Sequence, residues 1–418
     1  MTRPRALFVI TGSELVRGER TDRNGPFLAR EALALGLEPA RITIVGDRED
    51  ELVAALREGL DSDVLVTSGG LGPTHDDRTV ELLARVTGRE LRVDDELHEQ
   101  ISAISRSVAK RLRRPYADFE AGVRKQASLP DGAAAVGIAG TAPGLVYAHD
   151  GCAVVVLPGP PGELRRLWWA ALESSVVRQV LSRARPPGRR VLRFFGASES
   201  AIARAVEGAG GERPGVEATI CARDFEIHVD LVVEPDAEDE ADELERALVA
   251  PVARWLFARD ERPIEELVLA LCRARGLTLA TAESCTGGLV AERLTRVPGS
   301  SDVFLGSIVA YANEVKLGQL GVARQLIEEH GAVSAEVAGA MAQGVRERLG
   351  ADVGVAVTGV AGPNGGTDEK PVGLVYVAVS GPEVERTIDF TYPADRESIR
   401  SRAAVAALHL VRRALTQD

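Results

Sequence analysis

Short apolar runs that end in glycine-rich or polar loops alternate along this chain with amphipathic stretches of helical spacing. ALFVITG (6–12) leads into GSELVRGERTDRN (12–24), and a helical pattern over 26–35 stops at Gly36. RITIVGD (41–47) and DELVAALREGL (50–60) repeat the unit, and DVLVTSGGLGPTHDD (63–77) brings a third run into a second glycine loop. Such alternation predicts an α/β fold with a mostly parallel sheet covered on both faces. In such sheets ligands bind beyond the carboxyl ends of the strands, where the loops after Ile10 and Thr67 lie. Strands at 144–149 and 152–159 and a helix from Pro161 complete this region. The basic run at 105–127 reads as one helical, solvated face.

A break falls at SRARPPGRR (182–190). Beyond it, 191–196 and 225–234 alternate like antiparallel strands, and an acidic run from Glu234 becomes helical, where early carboxylates suit the helix dipole. GAGG (208–211) has the spacing of the GxxG loop of a KH module. The formal net charge of −12 and the acidic surroundings argue against a nucleic-acid partner. From Pro263 a second α/β pattern begins, with strands at 277–282, 303–311, 352–359, 374–379 and 385–392 and a closing helix over 394–415. No fixed-period repeat relates the two patterns. For 418 residues this organisation predicts domains at 1–172, 173–260 and 261–418. Four scattered cysteines without CxxC spacing indicate a reduced setting and no structural zinc. No apolar run suits a signal segment or a membrane span, so a cytoplasmic protein is expected.

Two loops carry chemistry. In GGLGPTHDD the glycines let backbone amides approach an anion, and Asp76 and Asp77 offer hard oxygen ligands to a magnesium-type ion, with Asp47 and Glu14 as further acids. The same acids also suit a plain helix N-terminus. Neither GxxxxGK[ST] nor GxGxxG is present, which disfavours a P-loop and a Rossmann dinucleotide site. AESCTGG (282–288) has the layout of strand, sharp turn and helix, with Ser284, Cys285 and Thr286 as candidate nucleophiles near free helix amides. A serine needs a base. The last region has His330 and His409, each in or beside a helical stretch, which weakens a Ser-His-Asp arrangement. Its two lysines, Lys316 and Lys370, border polar loops, and either serves as a base once burial or a nearby positive charge lowers its pKa. The alternative for each is a surface lysine.

Together the motifs resemble the CinA family. AESCTGG, YANEVK and TGVAGPNGGTDEKPVGLVYVAV are similar to its C-terminal nicotinamide mononucleotide amidohydrolase (PncC-like) domain. ITGSELVRGERTDRN, SGGLGPTHDD, GTAPGL and LPGPPGE resemble its N-terminal domain, itself similar to MoaB/MogA-like molybdopterin-binding folds. The middle region matches by position the family's small α+β KH-like module. The resemblance implies a three-layer N-terminal α/β domain and a C-terminal α/β amidase, the latter needing no cofactor. It makes Ser284 the nucleophile, with Lys316 and Tyr311 placed to activate it. Amides at Thr286, Gly287 and Gly288 are then candidate oxyanion donors. Thr358, Gly359, Gly362, Gly365, Gly366, Thr367 and Lys370 would hold ribose and phosphate. In the N-terminal domain it implies a nucleotide site at Gly12, Glu14, Asn24, Ser68, Gly69, Gly70, Gly72, Pro73 and Thr74. There Asp76 and Asp77 would hold a divalent metal for cleavage of ADP-ribose. Nicotinamide mononucleotide and ADP-ribose are the implied ligands and a homodimer the implied assembly. Ser13 and Arg23 depart from the family's usual Asp and Thr, which weighs against the pyrophosphatase more than against the amidase. The competing readings are a non-catalytic molybdopterin- or nucleotide-binding protein and a competence-associated one.

Overall fold

The computed structural model describes residues 3–382 and 384–416. They form two compact bodies, one of the chain up to Gly188 with Val233–Glu238, the other of Arg189–Val232 with the chain from Asp239 onward.

The first body contains β1 (Arg5–Thr11), α1 (Ser13–Val16), α2 (Gly25–Ala34), β2 (Glu38–Val45), α3 (Glu49–Leu60), β3 (Val64–Ser68), α4 (Thr79–Val86) and β4 (Leu91–Val93). It continues through α5 (Asp95–Leu112), α6 (Ala117–Gln126), β5 (Ser128–Pro130), β6 (Ala134–Ala139), β7 (Ala142–His149), β8 (Cys152–Leu157), α7 (Pro161–Leu172) and α8 (Ser175–Leu181). The main sheet has the order β2-β1-β3-β8-β7-β6. Its first four strands run parallel, and β7 and β6 are antiparallel. Along β1 the side chains alternate between two cores. Ala6, Phe8 and Ile10 pack with Leu28, Leu164 and Trp168, while Val9 packs with Leu56, Leu82 and Val123. Both faces are covered, so β1 is apolar without interruption from Ala6 to Ile10. The basic run at 105–127 is not one helix: Arg113 takes a left-handed φ of 55° and Pro115 follows, so α5 ends and α6 starts anew. The strand β6 escapes a sequence reading because it is largely exposed and broken by Gly137.

The second body opens with β9 (Gly188–Phe194), α9 (Glu199–Gly208), β10 (Val216–Arg223), β11 (Glu226–Val233), α10 (Glu238–Val249) and β12 (Leu256–Ala258), whose sheet has the order β10-β11-β9-β12. The GAGG segment terminates α9: the amides of Ala209, Gly210 and Gly211 return to the carbonyls of Ala205, Glu207 and Val206. Then come α11 (Ile264–Arg275), β13 (Leu279–Glu283), α12 (Leu289–Thr295), β14 (Phe304–Val309), α13 (Asn313–Leu320), α14 (Arg324–His330), α15 (Ala335–Leu349), β15 (Val353–Gly359), β16 (Leu374–Gly381), β17 (Val384–Thr391) and α16 (Arg396–Thr416). Their sheet has the order β14-β13-β15-β16-β17, with β14, β13 and β15 parallel and the last two antiparallel. One face packs on α11 and α16, the other on α15. Among the described residues no helix is long and apolar enough to cross a membrane.

Candidate active site

β13 lies between β14 and β15 in the five-stranded sheet and ends at Glu283, so the turn that follows emerges beside the carboxyl end of β15. The Ser284 amide donates to the Val357 carbonyl at 2.9 Å, which anchors the start of the turn. Glu283 is fully buried, and its carboxylate accepts from the amides of Gly288 (2.9 Å), Val290 (3.0 Å) and Ala291 (2.9 Å). An acid from the preceding strand thus caps α12, where a negative charge meets the positive end of the helix dipole. Gly287 and Gly288 take φ of +62° and +100°, which a side chain would resist.

Opposite the turn, Lys316 sits in the first turn of α13 and is 2% exposed. Its Nζ lies 3.1 Å from Ser284 Oγ, 2.8 Å from the Ala310 carbonyl and 3.4 Å from the Tyr311 carbonyl. Among the described residues it pairs with no carboxylate. Burial therefore lowers its pKa below the usual lysine value. A neutral amine has two hydrogens and one lone pair. The two carbonyls can take the hydrogens, which leaves the lone pair for the Ser284 hydroxyl proton.

Tyr311 contributes through its backbone. Its ring is exposed, and its hydroxyl accepts from Arg396 Nη2 at 2.8 Å rather than meeting Lys316. Cys285 is buried in the apolar core, where burial pushes its thiol up to about 11, so it stays protonated. The Thr286 side chain is buried as well.

The oxyanion donors differ from the sequence expectation. The Gly287 amide donates to the Ser284 carbonyl at 3.1 Å, and that of Gly288 to Glu283. Both are engaged in building the turn. Of the expected donors only the Thr286 amide, joined by that of Cys285, has no acceptor among the described residues.

The expected ribose and phosphate loop is held by several ties. Thr358 Oγ1 donates to the Ala332 carbonyl at 2.8 Å, and Gly359 packs so close to β16 that a Cβ would come 2.7 Å from the Leu374 carbonyl. Gly365 and Gly366 are exposed in the loop, and Thr367 and Lys370 close a turn. Lys370 Nζ donates to the His330 carbonyl at 2.5 Å. Arg396 ties the loop to the Tyr311 turn through the Gly362 carbonyl at 2.6 Å. Glu283, Arg396 and Arg400 escape the sequence reading. Glu283 had a local signal, an acid just before a glycine turn and a helix. The arginines had none, since both come from α16, Arg400 to the serine turn and Arg396 to the Tyr311 hydroxyl and the Gly362 carbonyl.

In the first body Asn24 Nδ2 donates to Ser68 Oγ at 2.9 Å and to the Gly159 carbonyl at 2.7 Å, joining three loops at the carboxyl ends of the strands. A cavity of about 650 Å³ is lined there by Thr11, Glu14, Arg20, Arg23, Asn24 and Ser68. A neighbouring one of about 390 Å³ is lined by Gly12, Gly69, Gly70 and Gly72 and by the acids Glu14, Asp47, Asp76, Asp77 and Glu163. Gly69 and Gly70 are required: a Cβ would lie 2.5 Å from Thr11 Oγ1 and 2.2 Å from Thr79 Oγ1 respectively. Pro73 packs on α6, where a Cβ at Gly122 would come within 2.4 Å of it. Thr74 donates its hydroxyl to both Asp76 and Asp77 and its amide to Asp77 at 3.0 Å. The carboxylates in this lining are the oxygen ligands that suit magnesium that keeps its water. Among the described residues, though, no three acids, histidines or cysteines converge into a metal cage. Ser13 donates to Asp47 at 2.5 Å, and Arg23 places a second cation beside Arg20 in the larger cavity.

Residues 261–415 match the family described as CinA C-terminal domain, and residues 7–177 the one described as "Probable molybdopterin binding domain". A CinA-like protein of Mycolicibacterium paratuberculosis is 43% identical over 430 residues, covering 99% of this chain and 98% of its own. A CinA-like protein of Mycobacterium tuberculosis is 44% identical over 426 residues, covering 99% and 97%. The solved structure of a competence/damage inducible protein from Agrobacterium tumefaciens is 39% identical over 38% of this chain and 100% of its own, with a TM-score of 0.35. With more than two-fifths of its residues shared along nearly the whole length of these relatives, the chain belongs to the CinA-like protein family.

Proposed function

We propose that the second body hydrolyses a carboxamide, that of nicotinamide mononucleotide, to nicotinic acid mononucleotide and ammonia, a reaction of pyridine nucleotide salvage. The observation that carries this reading is the buried Lys316 Nζ at 3.1 Å from Ser284 Oγ, with two carbonyls to take its hydrogens. Ser284 Oγ bonds to the amide carbon as its proton passes to Lys316. The oxyanion forms against the amides of Cys285 and Thr286. Collapse breaks the C–N bond, and the Lys316 proton leaves with the amine as ammonia. Water then attacks the acyl-serine, giving one proton to Lys316 and on to Ser284 Oγ, and the carboxylic acid departs with the other proton, which ammonia takes up in solution. Arg396 and the loop at 360–373 are suited to an anionic ribose phosphate. The test is ammonia release from nicotinamide mononucleotide by wild type, Ser284→Ala and Lys316→Ala, each checked for folding. Release by the wild type alone supports the reading, and release by folded Ser284→Ala overturns it.

A second activity is proposed for the first body, metal-dependent cleavage of the ADP-ribose pyrophosphate. Its support is a pair of cations, Arg20 and Arg23, which line one cavity together with Glu14 and Asp22, next to a second cavity lined by five acids. Asp76 and Asp77 would hold the divalent ion, which supplies charge neutralisation to a pyrophosphate, and Asn24 and Ser68 would orient the nucleotide. Magnesium-dependent release of AMP from ADP-ribose, lost in Asp77→Ala, checks it. Nucleotide binding without turnover would favour a binding protein. A cytoplasmic homodimer accompanies this reading.

A further inference from the structure

Three consecutive carbonyls of the serine turn are each held by a donor. Ser284 O accepts from the Gly287 amide at 3.1 Å, Cys285 O from Arg400 Nε at 3.1 Å, and Thr286 O from Arg400 Nη2 at 2.8 Å. In a trans peptide the carbonyl and the following N–H point in opposite directions. Holding Ser284 O therefore fixes the Cys285 N–H, and holding Cys285 O fixes the Thr286 N–H. These are the two turn amides without an acceptor among the described residues.

We infer that Arg400 is a positioning residue that aims the Thr286 amide at the developing oxyanion by clamping the Cys285 and Thr286 carbonyls from the far side of the turn. The inference rests on the proposed serine amidase. Two features suit Arg400 to the task. Its planar fork offers two nitrogens to two adjacent carbonyls, where an ammonium is a point donor. It also rises from a rigid base, since Ile399, Ala403 and Ala404 beside it on α16 are fully buried.

The test reads Ser284 directly with a fluorophosphonate probe, which needs both the nucleophile and the oxyanion donors but no knowledge of the substrate. Wild type should label at Ser284 and Ser284→Ala should not. Arg400→Ala should label about 10²-fold more slowly, the size of effect seen when one oxyanion donor is lost. Arg400→Lys should fall between, and ethylguanidine should restore part of the rate to Arg400→Ala. In the ammonia assay kcat should drop with KM nearly constant, and the pH midpoint should stay in place because Lys316 is untouched. Equal labelling of wild type and a folded Arg400→Ala overturns the role of Arg400 alone. An unlabelled wild type overturns the serine reading and this inference with it. Should Arg400→Ala not fold, Arg400→Lys is read by the same two assays, and wild-type rates in it overturn the proposal.

Discussion

Ser284 and Cys285 are neighbours with opposite fates. A thiol is intrinsically the better nucleophile, but only as thiolate. Burial holds the Cys285 thiol up near 11, whereas Ser284 is half-buried and faces Lys316. Cys285→Ala should therefore keep most of the ammonia-releasing activity, and at pH 8 iodoacetamide should modify the partly exposed Cys221 well before Cys285, as peptide mass mapping would show. Lys316 must be neutral to accept a proton. Its pKa is depressed, so activity should be present above that lowered value and fall as the pH drops through it. Lys316→Arg keeps charge and reach but cannot lose its proton, and should cost about 10²–10⁴-fold in kcat across the pH range. A Lys316→Arg enzyme with a wild-type pH–rate profile would remove the lysine from the mechanism.

At the scale of elements, α16 joins two neighbourhoods of the second body. Its first turns carry Arg396 to the Tyr311 hydroxyl and the Gly362 carbonyl and Arg400 to the serine turn, and farther on His409 enters the small sheet. There His409 stacks on Phe195 with ring centroids 3.7 Å apart, and its Nε2 donates to Glu226 at 2.9 Å. Glu226 is also held by Arg193 and His228. Burial alone would raise the Glu226 carboxyl, but hydrogen bonds from His228 and His409 and the charge of Arg193 outweigh it and hold the pKa low. Burial lowers the His409 pKa, and its Nδ1 has no acceptor among the described residues to receive a proton, while Arg412 and Arg413 add positive charge nearby. Both shifts act in one direction. Below about 6.5 the unfolded histidine takes a proton that the folded one refuses, and below about 4.5 the unfolded carboxyl does the same, so stability falls with pH. The melting temperature should decline from pH 6.5 downward, and His409→Gln, which can still donate to Glu226, should flatten the upper part of that decline. Removing only the cation by Arg193→Met strands a buried carboxylate and should cost about 3–5 kcal/mol in denaturant unfolding at neutral pH.

At the scale of the whole molecule, two bodies each set a candidate site loop at the carboxyl ends of parallel strands, and each loop is built from residues of its own body. The two proposed activities should therefore separate. Ser284→Ala should leave any ADP-ribose cleavage intact and Asp77→Ala should leave ammonia release intact, which paired assays on both variants would check. The parallel strands, their helices and the two glycine loops were legible in the sequence, because a buried strand must be apolar and a phosphate-sized turn must have glycine, both local demands on residue type. Ser284, Lys316 and the glycine loops were marked by motifs that sit on such turns. Other features were settled by distance in space. Gly287 and Gly288 looked like free oxyanion donors until Glu283 and the turn itself took their amides. The resemblance placed Tyr311 to activate Ser284, but its hydroxyl is held by Arg396 and only its backbone carbonyl meets Lys316. Arg400 is indistinguishable in sequence from the other arginines of α16, and only the packing of that helix brings it to the serine turn. Sequence determines which residues can do the chemistry, since that is a property of side chains and short-range backbone geometry. Which groups remain available for it was decided by the tertiary structure, because each donor, acceptor and charge is claimed or left free by partners far away along the chain.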